Sequence, residues 1–397
     1  MEICNKDKCT GCGVCASVCA HSSIRMEEDS YGELHPVVND LNCIQCGLCK
    51  KVCPNNTEPV FSYPQKCYAA WITDNIKRAK CASGGIATIM AEYVIKKGGV
   101  FFGTAYDFDF VPRVTYTDKI DDLEKFKGSK YAQSIMGENI LRKAKEYLKS
   151  DRFVLFIGTP CQVAGLKNYL HKEYDNLIAI DLICHGVCPT RYFTDEVSYI
   201  MSKHKLTDIS DIRFRGNDGH NFCLVFWQGK RQGNSYKDEI AYIKPRYEQP
   251  YFAGFMLGVT LRENCYTCNY ARPERVGDIT IGDFLRLGKT TPFPYRTKQV
   301  SVVLTNNSKG ISFYEQVAKY CGEGLMNVER DYSERLKYRP SLLEPFKRHP
   351  QYGEFREKYL KQGYVRAIRS TLRYFLLKQR YMRIKRSIIN CIKKSLK

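Results

Sequence analysis

Between Cys9 and Cys53 the chain sets eight cysteines in two copies of one spacing. Cys9, Cys12, Cys15 and Cys19 read C-x2-C-x2-C-x3-C, and Cys43, Cys46, Cys49 and Cys53 repeat it, with Pro54 following. Thiolates at this spacing wrap a tight turn of backbone around a 4Fe-4S cube, and in two-cluster proteins the fourth cysteine of each run ligates the other cluster. The expected ligand sets are therefore Cys9, Cys12, Cys15 and Cys53 for one cluster, and Cys43, Cys46, Cys49 and Cys19 for the other. Gly11, Gly13 and Gly47 supply dihedrals that residues with a Cβ avoid. Ala20 stands where such runs often carry proline, which leaves all eight ligands in place.

The rest of the composition points the same way. The chain has 19 cysteines in 397 residues. Its opening, MEICNKDKC, lacks the apolar stretch of a secretory signal. Metal ligation in a reducing, cytoplasmic setting is expected rather than disulfides. No apolar run approaches the ~20 residues that span a bilayer. The net charge of +20 is concentrated at the C-terminus, where thirteen Lys and Arg residues and no acidic residue follow Glu357. A protein-wide nucleic-acid surface is not expected.

Between the cysteine runs, 24–26 and 33–38 read as two short strands around a turn at Asp29-Ser30-Tyr31-Gly32. Asn55 to Pro59 reads as a linker, and a second domain begins at about Lys66. From there strands are expected at 68–72, 100–104, 111–117, 153–157, 177–183, 209–214, 222–227, 279–281 and 301–304. Helices are expected from Ser83-Gly84-Gly85 to about 97, at 137–150, at 162–171 and at 191–203. This alternation suits a covered α/β sheet. The expected fold is an α+β ferredoxin-like N-terminal domain (1–58), an α/β core (66–345) and a basic helical C-terminal tail (346–397).

A second cysteine set lies in the core. Cys161 follows one expected strand at the start of a helix, and Cys184 ends the next strand. If these strands are parallel neighbours, both thiols emerge at the carboxyl edge of the sheet, where open α/β sheets bind ligands. Cys265 and Cys268 add a C-x2-C pair. These four thiols suit a third 4Fe-4S cluster, and the same ligand chemistry would also serve zinc or a redox disulfide. Cys81 and Cys188 are the substitutes should one of the four be misassigned. Cys4, Cys67, Cys223, Cys321 and Cys391 read as small core residues.

Ser83-Gly84-Gly85, Lys127-Gly128-Ser129-Lys130-Tyr131, Gly158-Thr159-Pro160-Cys161-Gln162, Cys184-His185-Gly186 and Asp278-Ile279-Thr280-Ile281-Gly282-Asp283-Phe284 occur in this order. Over about 66–304 the chain resembles the beta subunit of the coenzyme F420-reducing hydrogenase and dehydrogenase family, including versions with a fused two-cluster ferredoxin. The resemblance implies an iron–sulfur flavoprotein oxidoreductase that passes electrons between clusters and FAD, and on to a deazaflavin or another acceptor. The alternative is an electron-relay subunit without a substrate site of its own, serving a partner hydrogenase, dehydrogenase or biosynthetic enzyme.

The residues agree with a flavin. Ser83, Gly84 and Gly85 would offer amides to a pyrophosphate at a helix N-terminus, or serve only as a glycine turn. Lys127, Ser129 and Lys130 would neutralise phosphates or the reduced ring. Thr159 and Asp283 complete the candidate contacts, with Asp283 equally suited to capping a turn. His185 is the sole catalytic candidate, and a structural histidine is the competing reading.

In the tail, Val365, Ile368, Leu372, Phe375, Leu376, Met382, Ile389, Ile392 and Leu396 recur at helical spacing among the basic residues. Such a helix suits the anionic inner face of a membrane or an acidic partner. Packing of the same stripe on the core is the competing expectation.

Overall fold

The computed structural model describes residues 1–232, 235–338 and 341–395. Near the N-terminus, Gly13 (φ +72°) and Gly47 (φ +75°) turn the chain into two short helices, α1 (Val14–Val18) and α2 (Leu48–Lys51), each inside a cysteine run. Between them β1 (Ile24–Glu28) and β2 (Leu34–Val38) pair antiparallel, Ile24 opposite Val38. The Asp29 carboxylate closes their turn by accepting from the Tyr31 and Glu33 amides, both at 2.9 Å.

The core follows as β3 (Lys66–Ile72), α3 (Asn75–Ala79), α4 (Ile86–Lys96), β4 (Val100–Tyr106), β5 (Pro112–Thr117), α5 (Glu138–Lys149), β6 (Val154–Gly158), α6 (Pro160–Leu170), β7 (Leu177–Leu182) and α7 (Thr190–His204). Next come β8 (Ile209–Arg213), β9 (Cys223–Gln232), β10 (Ser235–Pro245), α8 (Pro250–Leu257), β11 (Ile279–Asp283), β12 (Ser301–Thr305), α9 (Ser308–Cys321), β13 (Leu325–Arg330) and α10 (Tyr332–Leu336). Eight strands form one mixed sheet in the order β13-β3-β12-β11-β7-β6-β4-β5. The four central strands, β11, β7, β6 and β4, are parallel, and antiparallel strands flank them on both sides.

Strand periodicity decides what each face buries. Leu155 and Ile157 face α4 and α9, whereas Val154 and Phe156 face α5 and α6. With both faces covered, the central strands read as unbroken apolar runs. The N-terminal segment joins the α5–α6 side, where Cys12, Val14 and Val52 pack among Leu141, Val163 and Leu166. Arg142 on α5 secures it by donating to the Ser17 and Cys19 carbonyls at 3.1 and 3.2 Å.

Strands β8, β9 and β10 make a separate antiparallel sheet, and an aromatic core lies between it and α7 and α8, with Phe193, Phe214, Phe226, Tyr251 and Phe252 fully buried. β10 and α8 depart from the expected pattern. The α8 sequence PYFAGFML is apolar all round, so it has no polar face to betray a helical period.

The C-terminal region is helical, as expected, and much of its apolar stripe packs on the core. In α11 (Tyr352–Thr371), interrupted at Gly363, residues Tyr364, Ala367 and Ile368 are buried against the aromatic core, followed by Leu372. This helix straps the N-terminal segment as well: Arg356 donates to Glu33 at 3.0 Å and its guanidinium lies 3.4 Å from the Tyr31 ring centre. The chain continues into α12 (Arg373–Ser395), whose Phe375 and Leu376 still pack on this core and whose Arg383 pairs with Glu248 at 3.0 Å, and which is otherwise largely exposed. Of the expected stripe, Val365, Ile368, Leu372, Phe375 and Leu376 are therefore docked, and Met382 and Ile389 are exposed. A different row, Tyr374, Leu377, Tyr381, Ile384 and Ile388, is exposed at spacings of three and four. Leu396 and Lys397, and the side chains of Cys391 and Ile392, lie outside the described residues. Among the described residues, no helix is long and apolar enough to cross a membrane.

Candidate functional site

Cys9, Cys12, Cys15 and Cys53 line one small cavity, so the last cysteine of the second run joins the first three of the first run. All four are buried. Burial pushes Cys12 up to about 12 and raises Cys15. Cys9 goes the other way, down to about 4, because the Cys4 thiol donates to it and His35 and Arg262 lie beside it. Cys4, expected to be an ordinary core residue, lines the same cavity against Cys9 and Cys53. In the other set Cys46 is exposed, Cys19 and Cys43 are half-buried and Cys49 is buried. Cys49 lies within electrostatic range of Cys43 and Cys46.

The core thiols come together at the carboxyl edge of the sheet. β6 and β7 are parallel neighbours, Gly158 opposite Asp181, so Cys161 and Cys184 leave the sheet side by side. Thr159 caps α6 with Gln162 in a capping box, which sets Cys161 in the first turn, and the Thr159 hydroxyl lies 3.2 Å from the Cys161 sulfur. Cys265 and Cys268 sit in and at the end of a single 3-10 turn. Cys184 feels the charge of Cys161 and Cys268, and Cys265 that of Cys268 and Cys184. Burial raises all four, Cys184 to about 12 and Cys268 to about 11. Cys12 is also within electrostatic range of Cys161, so the two thiol sets meet across the boundary between the N-terminal segment and the core.

Two arginines serve this junction. Arg275 bonds the Asp181 carboxylate and lies near Cys184 and Cys268. Arg262 lies near Cys9, Cys161 and Cys265, and it opposes the rise that burial imposes on the two core thiols.

Among the described residues, no three Cys, His, Asp or Glu side chains close on one point as ligands of a single ion, and the described cysteines are free. A cavity bounded by four thiols fits a multi-atom inorganic group better than one ion. Of the two substitutes, Cys188 lies 3.1 Å from the Thr260 hydroxyl, in the same packed cluster as Cys265, and Cys81 bonds the Lys77 carbonyl at 3.3 Å.

The candidate flavin contacts gather at the same edge with internal partners. Gly84 packs where a Cβ would meet the Ala70 carbonyl at 2.3 Å, and its amide donates to Ser301. Ser83 bonds the Val300 carbonyl, and Gly85 caps α4. Lys127 pairs with Glu124 at 2.6 Å. Ser129 takes a left-handed turn (φ +54°) beside Gly128, whose carbonyl accepts from the Phe214 and Arg215 amides. Lys130 donates to the Lys125 and Lys127 carbonyls over the Tyr106 ring, and burial pulls it down to about 7. Asp283 is gripped by Arg215 at 2.8 and 3.1 Å; burial alone would raise this carboxyl, but the guanidinium holds it below its usual range. The buried Arg215 Nε and Tyr106 hydroxyl have no partner. His185 bonds the Phe255 carbonyl at 3.1 Å between the Phe255 and Phe346 rings, and burial lowers it to about 4, so the ring stays neutral.

Residues 8–57 match the family described as 4Fe-4S dicluster domain. Residues 151–323 match the family that describes the C terminus of the beta subunit of coenzyme F420 hydrogenase/dehydrogenase. The chain joins these two domains. It is an iron–sulfur redox protein related to the F420 hydrogenase/dehydrogenase beta subunits. Among solved structures, a chain of the F420-reducing [NiFe] hydrogenase complex from Methanosarcina barkeri, studied by xenon derivatization, is 15% identical, with a TM-score of 0.39 over 79% of this chain and 92% of that one. No curated protein matches.

The dicluster match spans all eight N-terminal cysteines, and the beta-subunit match contains the four core cysteines with Arg262, Arg275 and Asp283. Ser83 to Gly85 and Lys127 to Lys130 precede the second match. Sequence reasoning missed Arg262, Arg275 and Arg215. The only available signal for Arg262 is its place three residues before the C-x2-C pair.

Proposed function

We propose that this F420 hydrogenase/dehydrogenase-related chain is an electron-relay subunit for a partner redox enzyme. The observation that carries this reading is the meeting of Cys12 with Cys161, where two cysteine sets from separate parts of the sequence share one buried junction. 4Fe-4S clusters held by Cys9, Cys12, Cys15 and Cys53, by Cys43, Cys46, Cys49 and Cys19, and by Cys161, Cys184, Cys265 and Cys268 would supply one-electron chemistry. The protein's part is to order these sets. Cys46 lies at the surface, the Cys9 set is buried, and the core set lies at the sheet edge with Cys265 buried and Cys161, Cys184 and Cys268 half-buried. The matched family is named for a beta subunit, which favours action beside a partner protein.

A second reading adds FAD at the same edge, with a deazaflavin as acceptor. Its support is two unpartnered buried donors, the Tyr106 hydroxyl, whose ring lies under Lys130, and the Arg215 Nε, on the arginine that holds Asp283. In that reading Lys127, Ser129 and Lys130 hold phosphate, and Asp283 acts through Arg215. The α12 helix, with eight basic and no acidic residues, is proposed to rest on an anionic membrane surface.

Anaerobic purification with iron, sulfide and flavin analysis tests the core of this reading. About twelve irons per chain, falling by about four in Cys161→Ala, is expected, since each cubane holds four. About eight irons with no loss in that variant overturns the core site. One FAD per chain, with deazaflavin turnover by the isolated protein, would replace the relay reading with the enzymatic one.

A further inference from the structure

The two largest fully buried side chains are both arginines, and they differ in one respect. Arg275 has a carboxylate partner in Asp181. Arg262 has none among the described residues. Its Nε donates to Asn264 at 3.1 Å, Nη1 to Gln133 at 2.6 Å, and Nη2 to the carbonyls of Cys9 and Leu34 at 3.0 and 3.1 Å. Every one of these acceptors is neutral. A permanent cation removed from water requires an opposite charge nearby, and neutral hydrogen bonds alone do not supply one.

The groups able to supply it are the thiols. Arg262 sits between the first cysteine loop, which it grips through Cys9 and Leu34, and the turn that carries Cys265. Gln133 completes the joint: its amide reaches toward the Thr10 and Gly11 carbonyls while its oxygen accepts from Arg262. The Cys265 amide donates to the Arg262 carbonyl at 3.0 Å, so this buried residue is tied by its backbone to the core turn and by its side chain to the Cys9 loop. Thiolates that ligate iron are anionic, and positive charge near them makes an added electron easier to accept.

We propose that Arg262 is the shared counter-charge of the Cys9 site and the core thiol site, raising the reduction potential of both at the junction between them. The part concerning the core thiols rests on the relay reading above. The part concerning Cys9 rests only on the dicluster domain. Arg262 is a positioning and tuning residue, since it acts through the ligands.

The test is a redox titration followed by electron paramagnetic resonance on the full chain purified anaerobically, comparing the parent with Arg262→Gln, Arg262→Lys and Gln133→Glu. Arg262→Gln removes the charge. Gln133→Glu keeps the arginine but gives it a carboxylate. Both should make reduction of the Cys9 site and the core site at least tenfold less favourable, a 59 mV fall for one electron, and Arg262→Lys should restore most of it. If Arg262→Gln fails to retain iron while Arg262→Lys retains it, charge is again the requirement. Full iron with unchanged midpoints in Arg262→Gln overturns the proposal, as does equal iron loss in the Gln and Lys variants. A parent with about eight irons removes the core-site reading, and the Cys9 midpoint then still decides the role of Arg262.

Discussion

A Cβ added to Gly165 would sit 3.4 Å from the Cys12 sulfur, so α6 and the first cysteine loop touch through a missing side chain. The next neighbours, the Cβ atoms of Cys12 and Val14, lie at 3.6 Å. One methyl group therefore fits. Gly165→Ala should retain iron and gain about 0.5–1 kcal/mol from its higher helix propensity. Gly165→Leu has no room for its branch and should lower both the thermal midpoint and the retained iron. Equal behaviour of the two variants would show that the contact is loose.

The swapped fourth cysteine makes a separate prediction. Because Cys53 lines the cavity of Cys9, Cys12 and Cys15, Cys53→Ala should damage the same cluster as Cys9→Ala. Each single variant should lose about four irons, and the double variant should lose no more than either alone. Loss of about eight in the double variant would assign Cys53 to its own run.

Asp283 and Arg215 predict a pH dependence. The native carboxyl is held below its unfolded value of about 3.9, so the pair's contribution is complete above that pH and fades as acid protonates the native carboxyl. Asp283→Asn strands a buried guanidinium, at a cost of about 3 kcal/mol. Its deficit in thermal unfolding should be widest near about pH 6 and should narrow toward about pH 3. A deficit that is flat across this range would mean that the ion pair is not its source.

For α12, the boundary matters. Ending the chain after Leu376 keeps Tyr364, Ile368 and Leu372 in the core, whereas ending it near Lys358 would remove them. The chain ending after Leu376 should fold and bind iron like the parent but lose salt-sensitive co-sedimentation with anionic vesicles. Unchanged sedimentation, or equal binding of the parent to uncharged vesicles, would sink the membrane contact.

Local signals explain what was legible. The cysteine spacing places all eight N-terminal thiols, and the apolar runs of β6 and β7 place Cys161 and Cys184 at one edge. Each depends on neighbours within a few residues. Arg262 was hidden because its partner Cys9 lies 253 residues away and nothing local marks an arginine for burial. Ser83-Gly84-Gly85 shows the converse. Their spacing allows open amides or a plain glycine turn, and Gly84 is pressed against the Ala70 carbonyl of β3, a packing need no local spacing reveals. In the tail, helical spacing marked an apolar stripe but could not say which part of it the core had already claimed: the docked part runs from Tyr364 to Leu376.

The strap from Arg356 to Glu33 and Tyr31, with Arg262 beneath it, fastens the dicluster domain to the body at two separate points. A domain held this way does not swing between a loading and a delivering pose. Electron exchange across the junction should therefore be insensitive to solvent viscosity, and added glycerol should slow only the encounter with an outside partner.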